Sequence, residues 1–341
     1  MHRVAMLSFA HYHANFWTEA FLAEPGIAVA CIWDDDAARG RDAADRFGVP
    51  FQPDLDAAIA AAEAVAICSE TRKHLPLARR AAAAGCAILC EKPTARSVAE
   101  AEAMAGAVAQ AGTLFMQSFP KRLDPASHAL RRIVDQGTLG RIHTVRIRHG
   151  HGHGLDPDFR ARWYVRRDES GGGALLDEGV HGADLLCWLF GLPRSVVATT
   201  SSAVLGLEVD ENATAVFTWV DGMVAELTAG FLFAAASDSV EVYGTAGTAL
   251  LAGVDLASRD ITPGPFLRIF AGGTERAWRA EEVVPQFKAG RFHHQNAIGF
   301  ARCLRDGAPP PATIDDGRLA LLLIEQAYAA AASGIRQEIA P

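Results

Sequence analysis

The sequence predicts an α/β protein: a doubly wound parallel sheet in the first third, then an α+β domain with a large, mostly antiparallel sheet. Two observations predict it. Up to about Arg122, apolar strand-like runs alternate with alanine-rich helical stretches. Beyond that point, consecutive strands separated by Gly and Asp turns dominate. The expected domains are 1–122 and 123–341, since 341 residues exceed one ordinary core.

In the first domain, strands are expected at Val4–Leu7, Ile27–Trp33, Ala64–Cys68, Cys86–Cys90 and Thr113–Gln117. Helices are expected at Asn15–Ala23, Ala37–Phe47, Leu55–Ala62 and Leu75–Ala84. Gly48 and Gly85 stop two of them. Ser97 and Glu100 form a capping box for a further helix to Gln110. Strand–helix alternation of this kind means right-handed crossovers and a nucleotide-binding pattern of the Rossmann type. In the second domain, a helix at Pro125–Gln136 precedes a strand at Ile142–Arg148. A sheet from Val196 to Leu251 and helices at His293–Arg305 and Gly317–Ala332 follow.

Composition excludes several classes. The net charge of −8 argues against a nucleic-acid surface. No apolar run of roughly 18 residues spans a membrane, and Met1-His2-Arg3-Val4 opens no signal peptide. The six cysteines show no paired metal spacing; Cys31, Cys68, Cys86 and Cys90 lie in or beside apolar strand-like runs and read as buried free thiols, so a cytoplasmic location is expected.

Two motifs carry chemistry. Glu91-Lys92-Pro93 follows the apolar run Ala87–Cys90, placing an amine at the C-terminal end of a parallel strand, where open α/β sheets bind ligands. Such a lysine can bond a substrate oxygen and steady negative charge developing on it. The competing reading is a surface lysine after a buried strand. The second motif runs from Gly171-Gly172-Gly173 through Asp177, His181, Asp184 and Trp188. Spacings of four, three and four put these last residues on one face of an otherwise apolar helix. That stripe suits an oriented general base in a cleft. It equally suits a buried His–Asp pair that satisfies only itself.

With these residues in hand, the chain resembles the Gfo/Idh/MocA oxidoreductases over nearly its full length. Weaker echoes are Arg122-Leu-Asp-Pro125, Gly137-Thr-Leu-Gly140, Val242-Tyr-Gly-Thr-Ala-Gly247 and the Asp316-Gly317 helix. The resemblance implies an NAD- or NADP-dependent dehydrogenase or reductase of sugars, inositols or related polyols. It implies Lys92, Asp177 and His181 as catalytic residues. It also implies an open-faced second-domain sheet that mediates a homodimer or homotetramer, and the strands from Val196 to Leu251 are expected to leave a contiguous apolar face for that contact.

One departure stands beside the match. The first loop, Ser8-Phe9-Ala10-His11-Tyr12-His13, lacks every glycine of the G-x-G-x-x-G pattern. Ala10 adds only a methyl, Ser8 offers a hydroxyl, and His13 is expected to loosen helix–strand packing. The helix N-terminus remains available to phosphates. Ser8, Phe9, Ala10, His11, Asp34, His74, Glu91 and Lys92 are the expected cofactor residues. Asp34 at the end of the second strand favours NAD over NADP, because a 2′-phosphate meets like charge there. The run Asp34-Asp35-Asp36 also reads as a plain solvated turn. His74 fits the nicotinamide side of the family's cleft or a local cap.

His149, His151 and His153 alternate with glycines after a strand. They read as a substrate contact, a metal site or a simple loop; no resident metal is expected. Arg122, His151, Arg162, Trp163 and Tyr164, with Lys92, Asp177 and His181, are expected on the substrate side. The function predicted is hydride transfer between NAD and a hydroxyl or carbonyl carbon. The alternative is a non-catalytic regulatory protein of the same fold that binds a dinucleotide or sugar.

Overall fold

The computed structural model describes all residues except 236–238, 254–263, 274–275 and 341. Residues 236–238, inside the expected 196–251 sheet region, lie outside the described residues. The chain divides into two compact units. The first is Met1–Pro120 with His293–Arg318; the second is Lys121–Phe292 with Leu319–Pro341. The sequence reading grouped His293–Arg318 with residues 123–341.

The first unit alternates as its sequence pattern dictates. Its elements are β1 (His2–Leu7), α1 (His13–Ala23), β2 (Ile27–Trp33), α2 (Ala37–Phe47), α3 (Leu55–Ala60) and β3 (Ala64–Ile67). Then come α4 (His74–Ala83), β4 (Ala87–Cys90), α5 (Val98–Ala111) and β5 (Phe115–Gln117). The five strands are all parallel, in the order β2-β1-β3-β4-β5. Val4–Leu7 and Ala64–Ile67 are wholly buried, as expected for strands covered on both faces. Asp36 caps α2 by accepting the Ala38 and Arg39 amides, and Ser97 accepts the Glu100 amide at the start of α5. The strand order reverses between β1 and β3, so the loop after β1 opens at the point where such sheets hold ligands.

In the second unit, α6 (Pro125–Asp135), β6 (Ile142–Gly150), α7 (Pro157–Arg160) and α8 (Arg167–Ser170) come first. Next are α9 (Ala174–Asp177), α10 (Gly179–Phe190), β7 (Ser195–Ser201), β8 (Asn212–Thr218) and β9 (Val224–Gly230). β10 (Val240–Gly244), β11 (Thr248–Leu251), β12 (Leu267–Ala271) and β13 (Ala277–Glu281) continue the sheet. After α11 (His294–Asp306) of the first unit and α12 (Ile314–Ser333), β14 (Gln337–Glu338) closes its edge. The nine strands are antiparallel neighbours except for the β6–β9 pair, which is parallel.

Helices α9 and α10 pack on one face of this sheet, over Val145, Ile147, Ala213, Ala215, Phe217, Ala225, Leu227 and Ala229. The sequence reading expected the opposite face to be apolar. It is instead mixed: Arg146 pairs with Glu226 and Glu241 and Thr214 bonds Thr228, while Val197, Val224 and Trp278 are exposed on the same face. The period of two, applied to Arg146, Glu226, Thr228 and Glu241, sends these polar chains outward as a set.

The expected single helix from the glycine run to Phe190 is broken. α9 ends at Asp177 and α10 starts at Gly179. The start of α9 is fixed by Asp210. Its carboxylate accepts the Gly173 and Leu175 amides at 3.0 and 2.8 Å and the Tyr328 hydroxyl at 2.7 Å. A Cβ on Gly173 would lie 2.0 Å from the Asp210 carbonyl oxygen, so glycine is what lets the chain approach the segment just ahead of β8.

Candidate active site

In the first unit, β4 delivers Glu91 and Lys92 to the C-terminal edge of the sheet, and both are buried. The Lys92–Pro93 peptide is cis. Glu91 organises the segment. Its Oε1 accepts the Lys92 amide at 2.9 Å, and its Oε2 lies 3.0 Å from His13 Nδ1 and 3.4 Å from the Ser118 hydroxyl. The Gln117 side-chain amide donates to the Cys90 and Glu91 carbonyls, both at 3.2 Å. His74 Nδ1 lies 2.9 Å from the Pro93 carbonyl and its Nε2 3.2 Å from that of Ser69. His74 therefore braces the backbone just after Lys92.

Burial pushes the Glu91 carboxyl up to about 7, against the opposing charge and amide of Lys92. The His13 contact survives either charge state. A protonated Glu91 donates to a bare Nδ1, and an ionised one accepts from Nδ1–H. Because the folded-state pKa is raised, the folded chain holds this proton longer than the unfolded chain. The stability it confers is complete below the ordinary value of 4.5 and is lost as pH rises through about 7. Wild type should thus lose up to roughly 3 kcal/mol relative to Glu91→Gln between pH 4 and 8. Paired thermal melts across that range measure it; a pH-independent difference would refute it.

The glycine-free loop solves the turn in another way. Ser8 takes φ +74°, alone among described non-glycine residues in the left-handed region. Asp34 holds it there. The carboxylate accepts the Phe9 amide at 2.7 Å, the Asp36 amide at 2.9 Å and the Ser8 hydroxyl at 3.4 Å. It also receives Arg39 through Nε at 2.8 Å and Nη2 at 2.6 Å. Asp34 was expected to stand ready for ribose hydroxyls; in this structure both of its oxygens organise the loop. Ala10 is half-buried, with its amide on the Ser8 hydroxyl at 3.2 Å. His11 is buried, and burial, reinforced by His13 and Lys92, holds its imidazole well below its ordinary pKa. His13 was expected to loosen the packing. It is instead buried at the first turn of α1, stacked on His293 with ring centroids 3.7 Å apart. The tight turn at Ser8, the small Ala10 beside it, the start of α1 and an acid ending β2 are the parts a dinucleotide needs.

In the second unit, His181 is buried on α10, its ring centroid 4.7 Å from that of His149. Asp177 ends α9, half-buried. Sequence reasoning missed Glu178. This buried carboxylate stands at the helix break, 2.9 Å from His149 Nδ1 and 3.5 Å from His151 Nε2. A straight helix would have aimed it away from the Asp177 face, so no sequence signal pointed to it. His149 and His151 do share a side, as the period of two predicts, whereas His153 is exposed beyond β6. Asp184, of the expected cleft-facing stripe, is spent on Arg122, which it binds through Nε and Nη2 at 2.8–3.1 Å. Trp163 and Tyr164 are buried and stacked 4.2 Å apart, and His151 stacks on Phe231. Arg162 is exposed.

Ligating atoms of His11, His13 and Glu91, and of His151, Asp177 and Glu178, come within 4.8 Å of one another. In each group one imidazole nitrogen is already taken by a backbone amide. His11 Nδ1 accepts the His13 amide and His151 Nδ1 accepts the His153 amide, both at 3.2 Å. A ring nitrogen that accepts an amide proton is not free to bind a cation in that geometry.

Residues 4–119 match the family described as oxidoreductase family, NAD-binding Rossmann fold, and residues 127–250 match the GFO/IDH/MocA C-terminal domain. The chain belongs to the Gfo/Idh/MocA oxidoreductases, and its first unit is an NAD-binding Rossmann domain. A 1,5-anhydro-D-fructose reductase of Ensifer adhaerens is 28% identical over 96% of this chain and 95% of its own. A D-apiose dehydrogenase of Paraburkholderia graminis is 27% identical over 97% and 87%. A levoglucosan dehydrogenase, solved with NADH and levoglucosan, shares the fold with a TM-score of 0.86 at 22% identity, covering 99% of each chain.

Proposed function

We propose that this protein is an NAD-dependent dehydrogenase or reductase acting on a hydroxyl or carbonyl carbon of a sugar, inositol or related polyol. The observation that carries the reading is Lys92. Its buried amine stands at the ligand edge of an NAD-binding sheet, on a backbone braced by Glu91, Gln117 and His74. The relatives named as reductase and dehydrogenase of sugars support the substrate class.

When bound, NAD supplies the hydride acceptor in the oxidative direction. Ser8, Phe9, Ala10, His11 and the start of α1 hold the dinucleotide, with Asp34 ordering the loop. Lys92 donates a hydrogen bond to the reacting oxygen and favours its alkoxide character. His181 takes the hydroxyl proton, and Asp177 orients the catalytic groups. His151, Trp163 and Arg162 serve the substrate, and Arg122 keeps α10 in place through Asp184. No step needs a resident metal.

The acidic charge balance supports a small-molecule partner rather than nucleic acid. No described helix is long and apolar enough to cross a membrane. Six free cysteines, five of them buried, suit a reducing cytoplasm. The test of function is a screen of sugars and inositols with NAD, following nicotinamide absorbance. Turnover supports the reading. NADH binding without turnover of any of them would favour a regulatory binding protein.

The uncovered sheet face is proposed to join copies into a homodimer or homotetramer. Its Arg146, Glu226 and Glu241 charges make that contact partly ionic. Light scattering should show an oligomer at micromolar concentration that loosens in about 1 M salt, where charges are screened within about 3 Å. A monomer at low salt would count against it.

A further inference from the structure

We propose that His13 is a positioning residue: it takes over the work of the missing glycine by holding Glu91, and through Glu91 the backbone that presents Lys92. The inference rests on the reading of Lys92 as catalytic. In a glycine-complete loop the third small residue lets α1 pack closely on the sheet. Here an imidazole fills that position, at the first residue of α1, where Cβ points back toward the loop.

The imidazole is not a passive wedge. Its Nδ1 makes the shorter of two side-chain contacts to Glu91 Oε2, 3.0 Å against 3.4 Å for Ser118. The other oxygen of the same carboxylate holds the Lys92 amide. His13 and Glu91 are both buried, so water has little access to replace a lost partner. The ring itself is fixed from two sides, by His293 at 3.7 Å and His11 at 4.1 Å between centroids. Ser118 is held in turn by the Asn296 side-chain amide at 3.0 Å. Glu91 is thus the junction of α1, β4, the end of β5 and α11. The first loop and the catalytic lysine are one mechanical piece in this chain. The same His11–His13–Glu91 grouping is poorly suited to a cation, because burial and the neighbouring His13 and Lys92 already disfavour positive charge on His11.

The test compares His13→Ala, His13→Gln, Glu91→Gln and the double variant His13→Ala/Glu91→Gln. Glutamine keeps a donor within reach of the carboxylate and so is the conservative rescue. Thermal melts and NADH fluorescence titration confirm folding and cofactor binding. On a substrate found in the screen, His13→Ala should lower kcat at least tenfold while the Kd for NADH changes less than threefold. His13→Gln should recover most of kcat. The double variant should be no worse than the poorer single variant, since both break one contact.

Unchanged kcat in His13→Ala would overturn the proposal. So would a loss carried by NADH affinity alone, or a glutamine variant as poor as alanine. Should no substrate turn over, hydrogen exchange of segment 88–94 in the NADH complex decides separately. Exchange should quicken in His13→Ala and not in His13→Gln; equal rates in all variants would sink the idea. Zinc chloride raising the melting temperature of wild type but not of His13→Ala would also overturn it, in favour of a metal triad.

Discussion

Replacing Lys92 with alanine should lower kcat by about a hundredfold or more while the Kd for NADH stays within a few-fold. A hundredfold corresponds to about 2.7 kcal/mol of lost transition-state stabilisation. That is the scale of one charged donor to a developing alkoxide in a site with little water. The Lys92 segment is held through its backbone, by the Glu91 carboxylate on its amide and by Gln117 and His74 on neighbouring carbonyls. The fold should therefore survive the truncation. One side effect is expected: without the lysine charge, which pulls the Glu91 pKa down, Glu91 should hold its proton to still higher pH. His181→Ala should lower kcat by a similar factor through loss of the base, with NADH affinity unchanged. Pre-steady-state and steady-state rates on the same substrate measure both. Near-wild-type turnover in either variant would remove that residue from the mechanism.

What the sequence made legible follows from local rules. Strand ends, helix caps and the position of Lys92 depend on neighbours a few residues away. Ser97 and Glu100, or Gly48 ending α2 at φ +65°, could be read directly. The five-stranded parallel sheet followed from alternation and crossover handedness. The site residues brought from far along the chain were less legible. His13 and Glu91 are 78 positions apart, so no local pattern predicts that an imidazole will be welcome where a glycine is usual. The helix break at Glu178 escaped because Asp210, 35 and 37 positions further along the chain, sets the start of α9 through two backbone amides. Helical spacing alone treated Asp177, His181 and Asp184 as one stripe. The break separates the first from the others, and Arg122 claims the third. The charges on the open sheet face were missed for a different reason. Alternation was clear, but the fully buried Val, Phe and Ala of those strands lie on the face covered by α9 and α10, and the open face mixes charges with Val197, Val224 and Trp278.

The last expected result concerns Asp34, whose side chain has two duties that a single substitution separates. Asp34→Ala should weaken NADH binding on the order of tenfold or more, since each charged hydrogen bond lost costs about 1.5–3 kcal/mol. The loss comes partly from the loop. Phe9 and Asp36 amides lose their acceptor, and Ser8 loses the partner that helps hold it at φ +74°. The second duty is charge. Wild type should bind NADH more tightly than NADPH, because a 2′-phosphate beside Asp34 and Asp35 meets like charge where water is partly excluded. Removing Asp34 also releases Arg39 from its two-nitrogen contact, leaving a guanidinium suited to a 2′-phosphate. The ratio of NADPH to NADH dissociation constants should therefore narrow in Asp34→Ala even as both cofactors weaken. Adding Arg39→Ala should reopen it. Ala10→Gly, which touches only the loop facing the shared pyrophosphate, should leave the ratio unchanged. Fluorescence titration of each reduced cofactor against these variants measures all three. A ratio that does not move in Asp34→Ala would show that the Asp34–Arg39 pair orders the loop without choosing the cofactor.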